Sequence, residues 1–319
     1  MTDHLQLIRI SESWNQVTSR WAQVMNTDRF IEVAIGDHCI IDSSARVGRG
    51  TAFGPHVVVE AGVSIGADST IGAGVHLAAG VQIGCAVSID ARVVFAPGPF
   101  AAQPSSTTVK DGVTIGAGSV ICAGIVIESK AIVRPGSVVA RSVPPASIVE
   151  GNPAAIVGYV DADQGPTKAM QSSALQGTIA IERTPVKGVT VHTFPVIKDL
   201  RGDLTAGEFE KQIPFSPLRY FMVFGVPSKE IRGEHAHREC HQFLVCVRGS
   251  CSVVADDGTR RVEVALDTPN RGIHLPPMTW GIQYKYSADA LLLVFASHHY
   301  DASDYIRGYS DFTALIRDK

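Results

Sequence analysis

The chain has no apolar run of about eighteen residues, the length a membrane-spanning helix needs, and its first residues lack the basic, apolar, small-residue order of a secretory signal. Basic charge is not in excess: 28 Lys and Arg face 31 Asp and Glu, a net charge of -3. Without a basic face, nucleic acid is not an expected partner. The six cysteines, Cys39, Cys85, Cys122, Cys240, Cys246 and Cys251, form neither a CxxC pair nor a disulfide-like framework. A cytoplasmic chain without membrane insertion is expected. Its 319 residues are enough for two domains with separate cores.

What is present is a period. Stepping by six from Ile35 gives Ile41, Val47, Phe53, Val59, Ile65, Ile71, Leu77, Ile83, Ile89 and Phe95, and the step resumes at Val109, Ile115, Ile121, Ile127, Val133 and Val139. In a chain that is 45% apolar, one chosen frame would do this by chance about once in a million. A period of six fits neither helix nor flat strand; it fits a hexapeptide β-helix in which short strands stack coil on coil. Gly often follows the aliphatic, as at Gly36, Gly66, Gly72, Gly84 and Gly116, where it is expected to allow tight corners. Residues 1–30, with Trp14, Val17, Trp21 and Val24 on one helical face, read as a terminal helical cap or as an oligomer contact. The Pro- and Ser-rich stretch from Phe95 to Thr108 reads as an extruded loop, a tolerated insertion or a functional one.

IGADSTIGAGV, TIGAGSVI and the closing Val143 to Ala154 (VPPASIVEGNPA) resemble the left-handed β-helix acyltransferases with hexapeptide repeats, in particular the sugar-nucleotide N-acetyltransferases. The resemblance implies the handedness, acetyl-CoA as co-substrate with its pantetheine arm along the coils, and trimers with acceptor sites between subunits. Many of these relatives carry Asn-Asp after the Phe of the loop coil, where this chain has Ala96-Pro97-Gly98. They often place a His on the preceding coils. His56 and His76 are the candidates, each a base or a turn histidine, with His76 the one carried forward. Lys130, Arg134 and Arg141 are candidates for CoA phosphates or plain surface charges. A three-His metal site of the β-helix carbonic anhydrase type is not expected, because His38, His56 and His76 include no H-x4-H pair.

The repeat gives a domain over 31–158, a polar linker over 159–178 and an alternating all-β segment over 179–319. Asp257-Gly258 between two apolar runs signals a hairpin. Arg232-Gly233-Glu234-His235-Ala236-His237, with Gln242 and Gly249 following, resembles the first motif of the cupin barrels. Those metal sites have Glu where Gln242 stands and a further His near Trp280-Gly281, so no metal is expected here. His235 and His237, two apart on a strand, project to the same side as a titratable pair.

Asp199-Leu200-Arg201-Gly202, Ile213-Pro214-Phe215 with Arg219, RGEHAH, Trp280 and HHYDASDYIRGYSDF resemble the metal-free sugar-nucleotide 3,4-ketoisomerases acting on dTDP-4-keto-6-deoxyglucose. The resemblance implies proton transfer by His235 and His237 through an enediol, support from Arg232, Gln242 and Tyr220, and substrate contacts from Arg201, Arg219, Trp280 and Arg307. Tyr300, Asp304 and Tyr305 are expected around the mouth of the site. Related cupins pair as dimers, so a trimer or a hexamer is expected. Together the halves imply a bifunctional enzyme of dTDP-3-acetamido-3,6-dideoxyhexose synthesis for surface polysaccharide, with a separate PLP 3-aminotransferase as pathway partner. The alternative is a ketoisomerase alone, with the β-helix as scaffold.

Overall fold

The six-residue step becomes seventeen two-residue strands, β1 (Ala34–Ile35) to β17 (Val138–Val139). The structure, a computed structural model, describes residues 32–96, 106–165, 179–227 and 229–317. The expected helical cap over 1–30 and the centre of the Phe95–Thr108 loop lie outside the described residues. Two units divide at Val160.

In the first unit strands three apart pair in parallel, Ala34 with Ala52 and Ile35 with Phe53, so a coil takes 18 residues and three flat sheets result. Gly36 N donates to the Phe53 carbonyl at 2.9 Å and Gly54 N to that of Ile71 at 2.7 Å, repeating along the stack. One residue of each strand points inward; Ile71, Leu77, Ile89, Ile115, Ile121 and Ile127 are fully buried. Four places on from the inward residues, small or β-branched side chains line the corners. Thr51 and Ser69 are buried there, and each hydroxyl donates to a carbonyl of the next coil, Gly66 and Gly84, at 3.1 Å.

The glycines after the aliphatics do a different job from the one expected. They lack the left-handed backbone; that conformation falls two places later, at positions such as Gly74 (φ 66) and, among non-glycines, His56 (φ 60). A Cβ on Gly66 would instead stand 2.5 Å from the carbonyl carbon of Gly84 one coil on, so glycine is needed for close stacking. The loop is an insertion and not a missing coil: Ser88 pairs with Thr70 on one side and Thr114 on the other, the second partner 26 residues away, yet in the same register. The stack ends in β18 (Ser147–Gly151), which pairs in parallel with the Ile132–Val133 strand and antiparallel with β19 (Ala154–Tyr159).

The second unit starts earlier than the expected linker allows. Ala162–Gln164 forms β20, paired with β29 (Arg261–Leu266), because these residues complete a sheet edge; 166–178 lie outside the described residues. There follow β21 (Ala180–Arg183), β22 (Thr190–Thr193), the hairpin of β23 (Val196–Asp199) with β24 (Gly202–Thr205), and β25 (Arg219–Phe224). The motif strand is β26 (Arg232–His237), then β27 (Gln242–Arg248), β28 (Cys251–Asp256), β30 (Arg271–Leu275), β31 (Trp280–Tyr284), β32 (Leu291–Ala296), β33 (Tyr305–Ile306) and α1 (Tyr309–Arg317). They form two six-stranded sheets, β20-β29-β28-β31-β26-β33 and β21-β22-β30-β27-β32-β25. Val191, Leu244, Val253, Val264, Ile273 and Leu292 make up the core between them. The expected Asp257-Gly258 hairpin joins β28 to β29.

On the side of the second sheet away from that core, three histidines lie under the 206–218 segment. His192 Nδ1–H donates to the Gln212 carbonyl at 2.8 Å. His241 Nδ1 and His274 Nε2 are 3.0 Å apart with their rings parallel, and Phe215 leans on both. Burial, with His241 and His192 adding, pushes His274 down to about 3. Burial also lowers His192, and lowers His241 with help from His298. An unfolded imidazole titrates higher, so the unfolded chain binds more protons: stability is complete above about pH 6.5 and declines on acidification. Urea unfolding of this unit is therefore expected to lose roughly 1.4 kcal/mol per pH unit through His274 alone between about pH 6.5 and about pH 3. His274→Gln should flatten the slope; an unchanged slope would contradict the assignment.

Candidate active site

The local fold of RGEHAH is set by a bulge. Gly233 (φ 84) and Glu234 (φ 54) are left-handed, and the pairing of β26 with β31 slips between Gly233 and His235. A Cβ on Gly233 would stand 2.6 Å from the Gly281 carbonyl oxygen, which requires glycine there. Beyond the bulge the strand alternates, and His235 and His237 face one recess together with Gln242, Leu275, Thr279 and Gln283. Their rings meet edge to face at 5.0 Å.

Hydrogen bonds fix both tautomers. His235 Nδ1 lies 2.9 Å from the Gly233 carbonyl, which can only accept, so the proton is on Nδ1 and Nε2 carries a lone pair. His237 Nδ1 lies 2.7 Å from Asp304 Oδ2, and its Nε2 accepts from the Gln242 amide at 3.0 Å. Asp304 is held in turn, its other oxygen accepting from Glu239 N at 2.8 Å. Burial lowers the His235 pKa, reinforced by the His237 and Arg307 charges and opposed by the Gly233 bond. It lowers His237 as well, against the raising effect of Asp304 and with Arg219 and Arg307 helping. Burial alone would raise Asp304, but the Glu239 N–H and His237 hold it below the usual carboxylate range. Both imidazoles are thus neutral at pH 7, beside an ionised carboxylate.

The tail closes the site. β33 pairs with β26, Tyr305 opposite His237, and the Tyr305 ring lies 4.9 Å from that of His235 and 4.3 Å from that of His237. Arg307 sits over Tyr305 at 4.6 Å and Arg219 over Tyr300 at 5.4 Å.

The structure therefore brings together His235, His237, Gln242, Arg219 and Arg307, and four expected residues are placed elsewhere. Tyr220 is outward and 63% exposed, since β25 alternates and Phe221 has the inward position. Trp280 is buried against Tyr309 and Phe312 of α1, leaving Gly281 to line the recess. Arg232 is exposed at the end of β26 away from His237, its charge acting on the Tyr286 hydroxyl. Arg201 is exposed at the β23–β24 tip, paired with Asp199 at 2.6 Å. Asp304, expected only around the mouth, is the partner of His237; the two are 67 residues apart, and no local pattern signals the pairing.

In the solenoid His76 is half-exposed on an outer face and its Nε2 meets Glu60 Oε1 at 2.6 Å. His56 is an exposed corner residue whose ring stacks on His38 at 5.1 Å. Lys130, Arg134 and Arg141 are exposed, with Arg134 3.8 Å from Glu150.

Because Asp304 opposes the effect of burial on His237, Asp304→Asn is expected to lower the His237 pKa by about one pH unit, with a much smaller change at His235. Titration of the imidazole Cε1–H signals by NMR checks this; equal shifts or none would contradict the pairing.

Residues 187–317 match the FdtA family, described as WxcM-like, C-terminal, and residues 32–79 and 105–140 match the hexapeptide repeat of succinyl-transferase. The TDP-4-oxo-6-deoxy-alpha-D-glucose-3,4-oxoisomerase of Aneurinibacillus thermoaerophilus is 43% identical over 126 residues, 40% of this chain and 91% of the relative. Among solved structures, a 3,4-ketoisomerase from Helicobacter canadensis is 34% identical, covering 41% of this chain and 98% of that one, with a TM-score of 0.40. QdtA, a sugar 3,4-ketoisomerase from Thermoanaerobacterium thermosaccharolyticum in complex with TDP, is 30% identical over 42% and 97%, with a TM-score of 0.41. Through its C-terminal unit the chain belongs to the FdtA family, that of the TDP-sugar 3,4-ketoisomerases, and carries it behind a hexapeptide-repeat β-solenoid.

Proposed function

We propose that the C-terminal unit isomerises dTDP-4-keto-6-deoxyglucose to the 3-keto sugar. The observation that carries the reading is the pair of imidazoles facing one recess, one of them backed by a carboxylate. A C3 proton beside a C4 ketone is acidic enough to be removed when the developing enediolate is held by donors. His237 suits the C3 step, because Asp304 stabilises the imidazolium formed when Nε2 takes a proton. His235, with only a neutral carbonyl behind it, suits transfer of the hydroxyl proton from O3 to O4, and the isomerisation is completed when the His237 imidazolium gives its proton to C4 and returns to the neutral form. Gln242 orients His237, while Arg219 and Arg307 are cations for the diphosphate.

For the solenoid we propose N-acetylation of the dTDP-3-amino-3,6-dideoxyhexose that a PLP-dependent aminotransferase makes from the 3-keto product. Acyl transfer from a thioester needs a neutral amine, an aligned carbonyl and oxyanion donors, which backbone N–H groups at the coil corners can supply. His76, paired with Glu60, is the candidate base, and Lys130, Arg134 and Arg141 are candidates for CoA phosphates. The enzyme so described is a cytoplasmic trimer or hexamer. A second reading, with only the isomerase active and the solenoid as scaffold, is favoured by Ala96-Pro97-Gly98 after Phe95 in place of Asn-Asp.

Two assays separate these roles. In deuterated water, His237→Asn is expected to abolish exchange at C3, whereas His235→Asn keeps exchange into recovered substrate and slows product formation roughly a hundredfold; the reverse pattern would exchange the roles. Thiol release from acetyl-CoA with the dTDP-3-amino sugar is expected only if the solenoid is a transferase, and its absence would leave the scaffold reading.

A further inference from the structure

Within the recess His237 has a second kind of neighbour, Cys240, which also lines it. Cys240 is 3% exposed, and one ligand atom from each of His237, Cys240 and Asp304 lies within 4.8 Å of the others. Among the described residues this is the one such group of three, and it does not use the usual cupin ligand set. We propose that His237, Cys240 and Asp304 form an inhibitory site for a soft or borderline divalent cation such as Zn2+, bound on the Nδ1 side of His237.

The donor set suits the cation. A thiolate and a carboxylate together neutralise a dication in a buried position where uncompensated charge is costly, and sulfur with imidazole nitrogen selects Zn2+ over Mg2+ or Ca2+. Ligand atoms on one tetrahedral zinc stand roughly 3–4 Å apart. The 2.7 Å contact from His237 to Asp304 must open slightly, and the other groups need only close in. Two of the second contacts already exist, Glu239 N holding the far oxygen of Asp304 and Gln242 holding the far nitrogen of His237. The Cys240 thiol, which donates to the His241 carbonyl at 3.3 Å, must turn from it on losing its proton, and the Ser297 hydroxyl 3.9 Å away is a donor for the thiolate.

The Cys240 thiol loses its proton to solvent. His237 stays neutral, but its proton leaves Nδ1 for the metal and reappears on Nε2, so one proton is released in all. Nε2 then donates, the Gln242 amide must turn to offer its oxygen, and the lone pair assigned to the C3 step is gone. Inhibition rests on the isomerase reading; binding does not.

The test has one arm for each. Co2+ added to the full chain is expected to give a thiolate charge-transfer band, and Zn2+ to protect the Cys240 peptide from alkylation in the wild-type protein. The band should vanish in Cys240→Ser and persist in Cys85→Ser, a change at an exposed solenoid cysteine. A band that survives Cys240→Ser, no band at all, or protection confined to other cysteines would overturn the site. In the isomerase assay Zn2+ should inhibit and a chelator restore, with at least tenfold more Zn2+ needed in Cys240→Ser. Full activity in the presence of a saturated site would overturn the proposed proton shift, and a protein inactive without metal would count against the isomerase reading alone, leaving the cobalt arm to decide on the site.

Discussion

A buried polar group must find a partner, and in the C-terminal unit that requirement fixes the chemistry. His237 is 5% exposed and has two ring nitrogens to satisfy, one from the tail through Asp304 and one from β27 through Gln242. Those bonds decide which nitrogen holds the proton. The bulge at Gly233-Glu234 then turns His235 into the same recess and gives its Nδ1 a carbonyl to bind. A strand, a bulge and the 304–306 segment thus converge on one pair of rings, and burial, with the surrounding cations, lowers the pKa of both.

The solenoid solves the same requirement by repetition. Coil backbone groups bond to the next coil 18 residues on, and across the inserted loop the same ladder continues, with Gln82 N donating to the Thr107 carbonyl and Gly84 N to that of Val109. Inside, aliphatics fill the faces and hydroxyls at the corners bond across coils. Such a body is regular along its length and gives its surface variety only through outward residues such as His76 and Arg46.

Much of this was legible in the sequence because it is periodic. The step of six names the inward residue of every coil strand, and the two-residue spacing of His235 and His237 predicts a shared side. What was not legible depends on contacts between distant segments. Trp280 reads as a site residue until α1 covers it, and Tyr220 until strand parity gives the inward position to Phe221. The glycines after the coil aliphatics read as corner residues, but the close approach of the next coil is what requires them. Asp304 carries no local signal, since its meaning arises only when the tail pairs with β26.

The recess presents two imidazoles whose hydrogen bonds put the proton on Nδ1 and leave Nε2 as the acceptor. Measuring the 15N shifts of the His235 and His237 ring nitrogens at pH 7 in the full-length protein tests it most directly. A protonated Nδ1 and an unprotonated Nε2 are expected for both residues, with Asp304→Asn disturbing His237 and changing His235 much less. A proton on Nε2 of either ring, or an imidazolium at that pH, would contradict it.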